Sequence, residues 1–143
     1  MAEKHLCMKK RFFLVLVIIA TAMQTLVAQQ NTARDYALVD QAIKANLKLF
    51  PLPQKFTEGI YNVDLKRSYN TVVYTFKVDE EMYDISDVKK YITGIDWKDI
   101  LKEDSETNMF VCFIKVKKMN VKYKFVGNIT GESFEILIRS GEY

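Results

Sequence analysis

Histidine and cysteine are scarce in this chain of 143 residues, which has one histidine, His5, and two cysteines, Cys7 and Cys112. Structural zinc sites need four Cys or His ligands, so the sequence cannot supply one. Hydrolases of the Ser-His-Asp or Cys-His kind depend on a histidine base. We therefore predict no catalytic residue of these classes, no metal ligands and no cofactor.

Glycine and proline are also few, with five and two residues. Neither standard glycine-rich phosphate loop is present, and no internal repeat of a solenoid period is found. The chain is 49% hydrophobic and 27% charged, which is typical of an ordinary globular protein. Its length fits one domain.

The N-terminal segment has the layout of a secretory signal peptide. A basic Lys-Lys-Arg sequence at 9–11 precedes an apolar run at 12–28, which ends in small residues before the polar Gln29. Its strictly apolar part is shorter than the roughly 20 residues of a membrane span. We predict cleavage between Ala28 and Gln29, with an uncleaved anchor as the alternative.

Cleavage divides the chain into a signal peptide over 1–28 and a single domain over 29–143. The mature domain then has 17 basic and 17 acidic residues, so the basic excess belongs to the signal and predicts no nucleic-acid partner. It also has one cysteine, Cys112, so no intramolecular disulfide forms, and apolar neighbours favour a buried position for it. We predict a periplasmic or secreted protein with no membrane span after processing; Met8 is an alternative start.

Hydrophobic periodicity predicts an α+β fold. Helical spacing indicates a helix over 32–50, which Pro51 ends, and a helical region over 84–102. Alternating runs predict two β-hairpins, made by residues 58–68 with 71–78 and by residues 121–126 with 134–138. We predict a four-stranded antiparallel sheet from two hairpins with helices packed on one face, in the order α-β-β-α-α-β-β.

The segment 109–119 fits both a strand and a helix. Its β-branched and aromatic residues favour a strand, but that strand would run on towards Gly127, far beyond the usual length. We predict a buried helix, whose apolar face consists of Met109, Cys112, Phe113, Val116 and Met119.

The alternation also assigns each predicted strand residue to a face. The helix-covered inner face is predicted to contain Tyr61, Val63, Leu65, Val72, Tyr74, Phe76, Val78, Tyr123, Phe125, Phe134, Ile136 and Ile138. The outer face is predicted to contain Asn62, Asp64, Lys66, Val73, Thr75, Lys77, Lys122, Lys124, Val126, Glu135, Leu137 and Arg139. Since the inner aromatics have the helices as partners, we expect any function on the outer face.

Two charged groups deserve a functional interpretation beside a structural one. Asp79, Glu80, Glu81, Asp84 and Asp87 lack the spacing of an EF-hand loop, and the pattern favours a solvated connection into a helix N-terminus. A carboxylate pair for hydrolysis remains the alternative, since it depends on spatial separation.

The second group is basic and consists of Lys115, Lys117, Lys118, Lys122 and Lys124, with Tyr123 and Phe125 interleaved. Basic and aromatic residues together can indicate nucleic-acid binding. Here the two residue types alternate onto opposite strand faces, so a core face and a solvated face are favoured. An acidic polysaccharide or another anionic surface is the partner that fits these lysines.

The mature chain resembles small exported proteins of unknown function from Bacteroidetes-type Gram-negative bacteria. The resemblance lies in Val-Ala-Gln-Gln at 27–30, Val-Tyr-Thr-Phe-Lys-Val-Asp-Glu at 73–80 and Val-Lys-Tyr-Lys-Phe-Val-Gly at 121–127. It implies a periplasmic or secreted location and brings no catalytic residues.

Three functions follow as hypotheses. The first is a non-enzymatic binding or interaction module of the cell envelope, with a protein or an envelope component as its partner. The second is a carrier of a small apolar ligand, because the inner faces are rich in aromatic residues. The third is a hydrolase that uses carboxylates such as Asp79, Glu80 and Asp87.

Overall fold

A five-stranded mixed sheet is the centre of the protein, whose computed structural model describes residues 32–143. The predicted signal peptide and its cleavage site between Ala28 and Gln29 lie outside the described residues. Residues Tyr36–Tyr143 form one compact unit. No helix within residues 32–143 has the length and hydropathy of a membrane span.

The strands follow one another across the sheet in sequence order. Every neighbouring pair is antiparallel except the third and fourth strands, which run parallel. The strands are β1 (Gln54–Thr57), β2 (Ile60–Ser68), β3 (Thr71–Val78), β4 (Asn120–Gly127) and β5 (Ser133–Ile138).

Four helical segments complete the described part. They are α1 at residues 32–49, α2 (Ile85–Thr93), α3 (Trp97–Thr107) and α4 (Met109–Val116). Asp84, Asp96 and Asn108 cap the last three, and each accepts a backbone N–H of the first turn through its side chain. These caps explain why residues 85–116 form three separate short helices.

The α+β class is confirmed, but the predicted sheet is wrong in two respects. β1 was missed because its four residues, Gln-Lys-Phe-Thr, are largely exposed and have no clear alternation. The adjacent strands of the two hairpins, β3 and β4, run parallel. They can do so because three helices, α2 to α4, return the chain from the end of β3 to the side of the sheet where β3 begins. The observed order is α-β-β-β-α-α-α-β-β.

A β-bulge in β2 reverses part of the predicted face assignment. Asn62 pairs with Phe76 and Asp64 pairs with Thr75, so Val63 is the extra residue. Asn62 is therefore buried on the inner face, where its side-chain oxygen finds no hydrogen-bond partner among the described residues. Tyr61, which pairs with the exposed Lys77, lies on the outer face instead.

The core lies between the inner sheet face and the helices, as predicted for β3, β4 and β5. Aromatic rings fill much of it: Phe125 stacks on Phe76 at 4.9 Å and on Phe134 at 5.0 Å between ring centroids. Trp97 packs 4.6 Å from Tyr123 and donates its indole N–H to the carbonyl oxygen of Ile92 at 2.7 Å. The buried indole N–H is therefore satisfied.

Helix α4 confirms the helical interpretation of 109–116 but not its predicted face. The buried residues are Phe110, Val111 and Ile114, whereas Cys112 is exposed. The prediction of Cys112 as a core residue is therefore wrong. Because apolar residues occur on every side of this helix, periodicity could not select the face that packs.

Candidate binding face on the sheet

The outer face of the sheet is built from rows of side chains that cross the strands. The register aligns Lys66, Val73, Lys122 and Leu137 in one row. The next row consists of Asp64, Thr75, Lys124 and Glu135, and the row beyond it of Tyr61, Lys77, Val126 and Ser133. Strands about 4.8 Å apart bring each row within reach of one extended ligand.

Four lysines give this face its positive charge. Lys122 is paired with Glu135 at 3.2 Å between nitrogen and oxygen, and Lys66 is 3.8 Å from Asp64. Within residues 32–143, neither Lys77 nor Lys124 has a carboxylate oxygen within 4.0 Å. The face therefore keeps a positive excess after its own ion pairs are made.

Val73 lies in the middle of these lysines and is only 8% exposed, although it points away from the main core. Its neighbours across the strands are Lys66 and Lys122. Long lysine side chains cover apolar neighbours with their methylene stems and keep the ammonium group in water. Cover by the neighbouring lysine stems accounts for the low exposure of Val73.

A groove of about 220 Å³ follows these rows. Its lining combines three lysines with three hydroxyl groups and consists of Lys66, Ser68, Thr71, Val73, Thr75, Lys122, Lys124 and Glu135. Ammonium and hydroxyl donors together are suited to carboxylate, sulfate or phosphate oxygens.

A second groove, of about 410 Å³, extends from Lys77 to Pro53 in the loop before β1. Tyr61 and Val63 give it an apolar floor, and Pro53, Asp79 and Asn128 lie at its edges. Sequence reasoning missed Tyr61 and Val63 because nothing in the local pattern reveals the bulge that turns them outward.

The acidic residues proposed for hydrolysis serve the fold. Glu80 accepts hydrogen bonds from the backbone N–H groups of Ile129 and Thr130, at 2.6 and 2.7 Å, and from the Thr130 hydroxyl at 2.6 Å. These bonds hold the pKa of Glu80 below its ordinary value. A carboxyl group with a lowered pKa and three donors is poorly suited to general acid or base work at neutral pH.

The other acidic residues are dispersed around the same connection. Asp84 caps α2 and accepts from the backbone N–H and the hydroxyl of Ser86, and these hydrogen bonds lower its pKa. Asp79 accepts from the N–H of Glu81 in a local turn, and Asp87 is an exposed first-turn residue of α2, 3.7 Å from Lys90. The structure gives these side chains turn and capping roles.

Glu80 also explains why residue 127 is glycine. A β-carbon at Gly127 would overlap the carboxyl group of Glu80. The Asn-Ile-Thr sequence at 128–130 has a structural role in the same turn, since Asn128 Oδ1 accepts from the N–H of Glu80 at 3.0 Å. One carboxylate therefore connects the end of β3 to the β4–β5 turn.

The five basic residues singled out in the sequence do not form one patch. Lys122 and Lys124 belong to the outer sheet face. Lys115 donates to the hydroxyl of Ser105 at 3.2 Å, and Lys117 lies over the ring of Phe113 at the end of α4. Lys66 and Lys77, which the alternation had already assigned to the outer face, lie on that face with Lys122 and Lys124.

The inner aromatic face leaves little support for a ligand carrier. Its rings pack on one another, and burial raises the pKa values of Tyr74 and Tyr123 above their ordinary range. Among residues 32–143, no group of three or more Cys, His, Asp or Glu side chains is placed to hold a metal ion.

No protein-family model matches the chain, and neither does any curated protein. Among solved structures, a Pseudomonas aeruginosa protein described as a candidate secreted protein is similar at 13% identity, with a TM-score of 0.49, over 76% of this chain and 95% of its own. The Vibrio vulnificus type 2 secretion pilotin EpsS is 12% identical, with a TM-score of 0.45, over 77% and 96% of the two chains. The Vibrio cholerae type II secretion pilotin AspS is 11% identical, with a TM-score of 0.47, over 78% and 97%.

Proposed function

We propose that this chain is an exported, non-enzymatic domain of the bacterial cell envelope that binds an acidic polysaccharide on its outer sheet face. Export through a cleaved signal at 1–28 is part of the proposal. The observation that carries it is the set of lysine rows on the sheet face opposite the helices, with Lys77 and Lys124 not neutralised by any described carboxylate.

The spacing of the lysines supports an extended ligand. Lys122 and Lys124 are two residues apart on one strand, about 7 Å, and Lys66 is two strands from Lys122, about 10 Å. A polymer that repeats a carboxylate along its length can contact several of these ammonium groups together. Each contact at a solvated surface is weak, so affinity depends on their number.

The grooves support a sugar polymer over a compact ligand. They cross the open face of several strands, and the groove lined by Tyr61 and Lys77 begins one row of side chains beyond the row of Thr75 and Lys124. Hydroxyl groups on Ser68, Thr71 and Thr75 offer donors and acceptors to sugar hydroxyls. The exposed ring of Tyr61 offers an apolar platform with a polar tip.

The test compares a polyuronate with the neutral polymer dextran as ligands for the full chain. The double variant Lys122→Gln/Lys124→Gln is expected to weaken polyuronate binding about tenfold, since two partly exposed charge contacts are lost. The matched control is Lys44→Gln/Lys89→Gln, which removes the same charge from exposed helix positions. Isothermal titration calorimetry at two salt concentrations measures both.

The proposal also predicts the response to salt, because exposed charge contacts are screened. Added salt is expected to weaken polyuronate binding by the original chain more than by the Lys122→Gln/Lys124→Gln variant. Equal losses in that variant and its control, or equal binding of dextran, contradict the proposal. Tighter binding of single-stranded DNA or of anionic phospholipid vesicles would assign the face to another ligand and overturn it.

A further inference from the structure

Among β2 to β5, the outer sheet face carries its acidic side chains on the two flanking strands. Asp64 on β2 and Glu135 on β5 lie at opposite ends of the row that Thr75 and Lys124 complete. The outer-face positions of β3 and β4 between them are Thr71, Val73, Thr75, Lys77, Asn120, Lys122, Lys124 and Val126. The central pair of strands is therefore a neutral and basic strip, with a carboxylate on each side.

The two carboxylates are partners of lysines on the same face. Glu135 lies 3.2 Å from Lys122, in a pair whose side chains are 45% and 31% exposed, and Asp64 lies 3.8 Å from the more exposed Lys66. Glu135 also lines the groove that contains Lys122 and Lys124. A ligand carboxylate that contacts Lys122 must therefore compete with Glu135 and is repelled by it.

Three of the four lysines follow the direction of the strands. Lys124 is two residues beyond Lys122 on β4, and Lys77 on β3 is paired with Val126, two residues further on. The ammonium groups of these lysines thus succeed one another over about 14 Å along the strands. Lys66 lies apart from this line, beside Asp64.

No row that crosses the strands offers an equal set of charges. The row of Val73 contains Lys66 and Lys122, each of which already has a carboxylate partner. The row of Thr75 has Lys124 between two carboxylates, and the next row has a single lysine, Lys77. An extended anion therefore gains most by lying along the strands.

We infer that an acidic polymer lies along β3 and β4, over Lys122, Lys124 and Lys77, and that Asp64 and Glu135 determine this direction by excluding anionic groups from β2 and β5. This direction rests on the proposed function, with an acidic polysaccharide as the ligand. It narrows the ligand to a linear chain whose anionic groups repeat over at least about 14 Å. Asp64 and Glu135 are then specificity-determining residues.

Two lysine variants of the same face test the direction. Lys77→Gln is expected to weaken the binding of a polyuronate oligomer about threefold, since it removes one contact along the path. Lys66→Gln removes the same charge from another exposed side chain, off the path, and is expected to change binding little. Isothermal titration calorimetry measures both, and circular dichroism checks the fold. A Lys66→Gln loss equal to or above that of Lys77→Gln overturns the inferred direction.

The role of Glu135 is tested by its own removal. Glu135→Gln is expected to strengthen polyuronate binding about threefold, because Lys122 is released and a like charge is lost. Glu103→Gln is the matched control, since it removes a carboxylate from an exposed position of α3. Equal affinities of the two variants overturn the role of Glu135.

A spin label shows the direction itself. With a nitroxide on the reducing end of a short polyuronate oligomer, NMR is expected to show amide broadening at one end of the central strands, either near Thr71 and Asn120 or near Lys77 and Val126. Broadening centred on Lys66 or Leu137, or spread evenly over the face, overturns the inferred direction alone. Absence of polyuronate binding by the original chain overturns the proposed function as well.

Discussion

Glu80 shows how one side chain connects segments that are 50 residues apart. Its carboxylate receives three hydrogen bonds from residues 129 and 130, and its own N–H donates to Asn128. The sequence placed Glu80 in an acidic group predicted to form a solvated connection into a helix N-terminus. Its partners could not be predicted, because they belong to a turn that only the parallel β3–β4 pairing brings near.

The lowered pKa of Glu80 makes its contribution to stability dependent on pH. A carboxyl group whose pKa is lower in the folded state stabilises fully above its unfolded pKa, about 4.3, and loses this effect as the pH falls through the folded value. Glu80→Gln is therefore expected to lower the urea midpoint at pH 7, with a difference that shrinks below about pH 4. A difference that stays constant down to about pH 2 would show that the charge of Glu80 has no part in it.

The carboxylate of Glu80 also leaves no space for a side chain at Gly127. Gly127→Ala is expected to lower the free energy of unfolding by about 1–3 kcal/mol, because the added methyl group displaces Glu80 from its hydrogen bonds. In a Glu80→Ala background the same change is expected to cost much less, which a double-mutant cycle measures. Gly94→Ala, at a helix end with ordinary spacing, is the control. Equal costs in both backgrounds contradict the explanation.

At the scale of elements, α1 is tied to the sheet by a bidentate ion pair. Arg67 of β2 donates Nε and one terminal nitrogen to the two oxygens of Asp40, at 2.7 and 2.9 Å. The guanidinium also lies 4.7 Å from the ring centroid of Tyr36. This geometry lowers the pKa of Asp40 through its hydrogen bond to Arg67.

Arg67→Lys is expected to lower the free energy of unfolding by about 1 kcal/mol, since an ammonium group cannot reproduce the planar fork and half of Asp40 is solvated. Chemical denaturation measures the loss. The exposed Arg139→Lys serves as the control and is expected to change little. Equal stabilities of the two variants would contradict a bidentate anchor.

Elements were predictable from the sequence where the local pattern was unambiguous. The helix ending at Pro51, the β2–β3 and β4–β5 hairpins and the inner residues of β3 follow from periodicity and turn chemistry. Face assignment failed in β2, where the bulge at Val63 shifts the alternation. It failed in α4 because Met109 to Val116 is apolar on all sides.

At the scale of the whole molecule, strand direction was the main error, and it decides which residues of the outer face are neighbours. Parallel pairing of β3 and β4 places Val73 beside Lys122 and Thr75 beside Lys124. Local patterns cannot determine how two distant hairpins pair, since both directions bury the same inner residues. The sequence therefore predicted the lysines on the outer face, but their alignment into rows across β3 and β4 follows only from the assembled sheet.

Chemical-shift mapping by NMR tests the polysaccharide-binding face most directly. On titration with a polyuronate oligomer, we expect the amide shifts to change along the outer-face residues of β2, β3 and β4, centred on Thr75 and Lys124. The amide shifts of α1 and α2, which lie on the inner face of the sheet, are expected to stay unchanged. Changes confined to the helices, or the same changes with a neutral oligomer, would contradict the account.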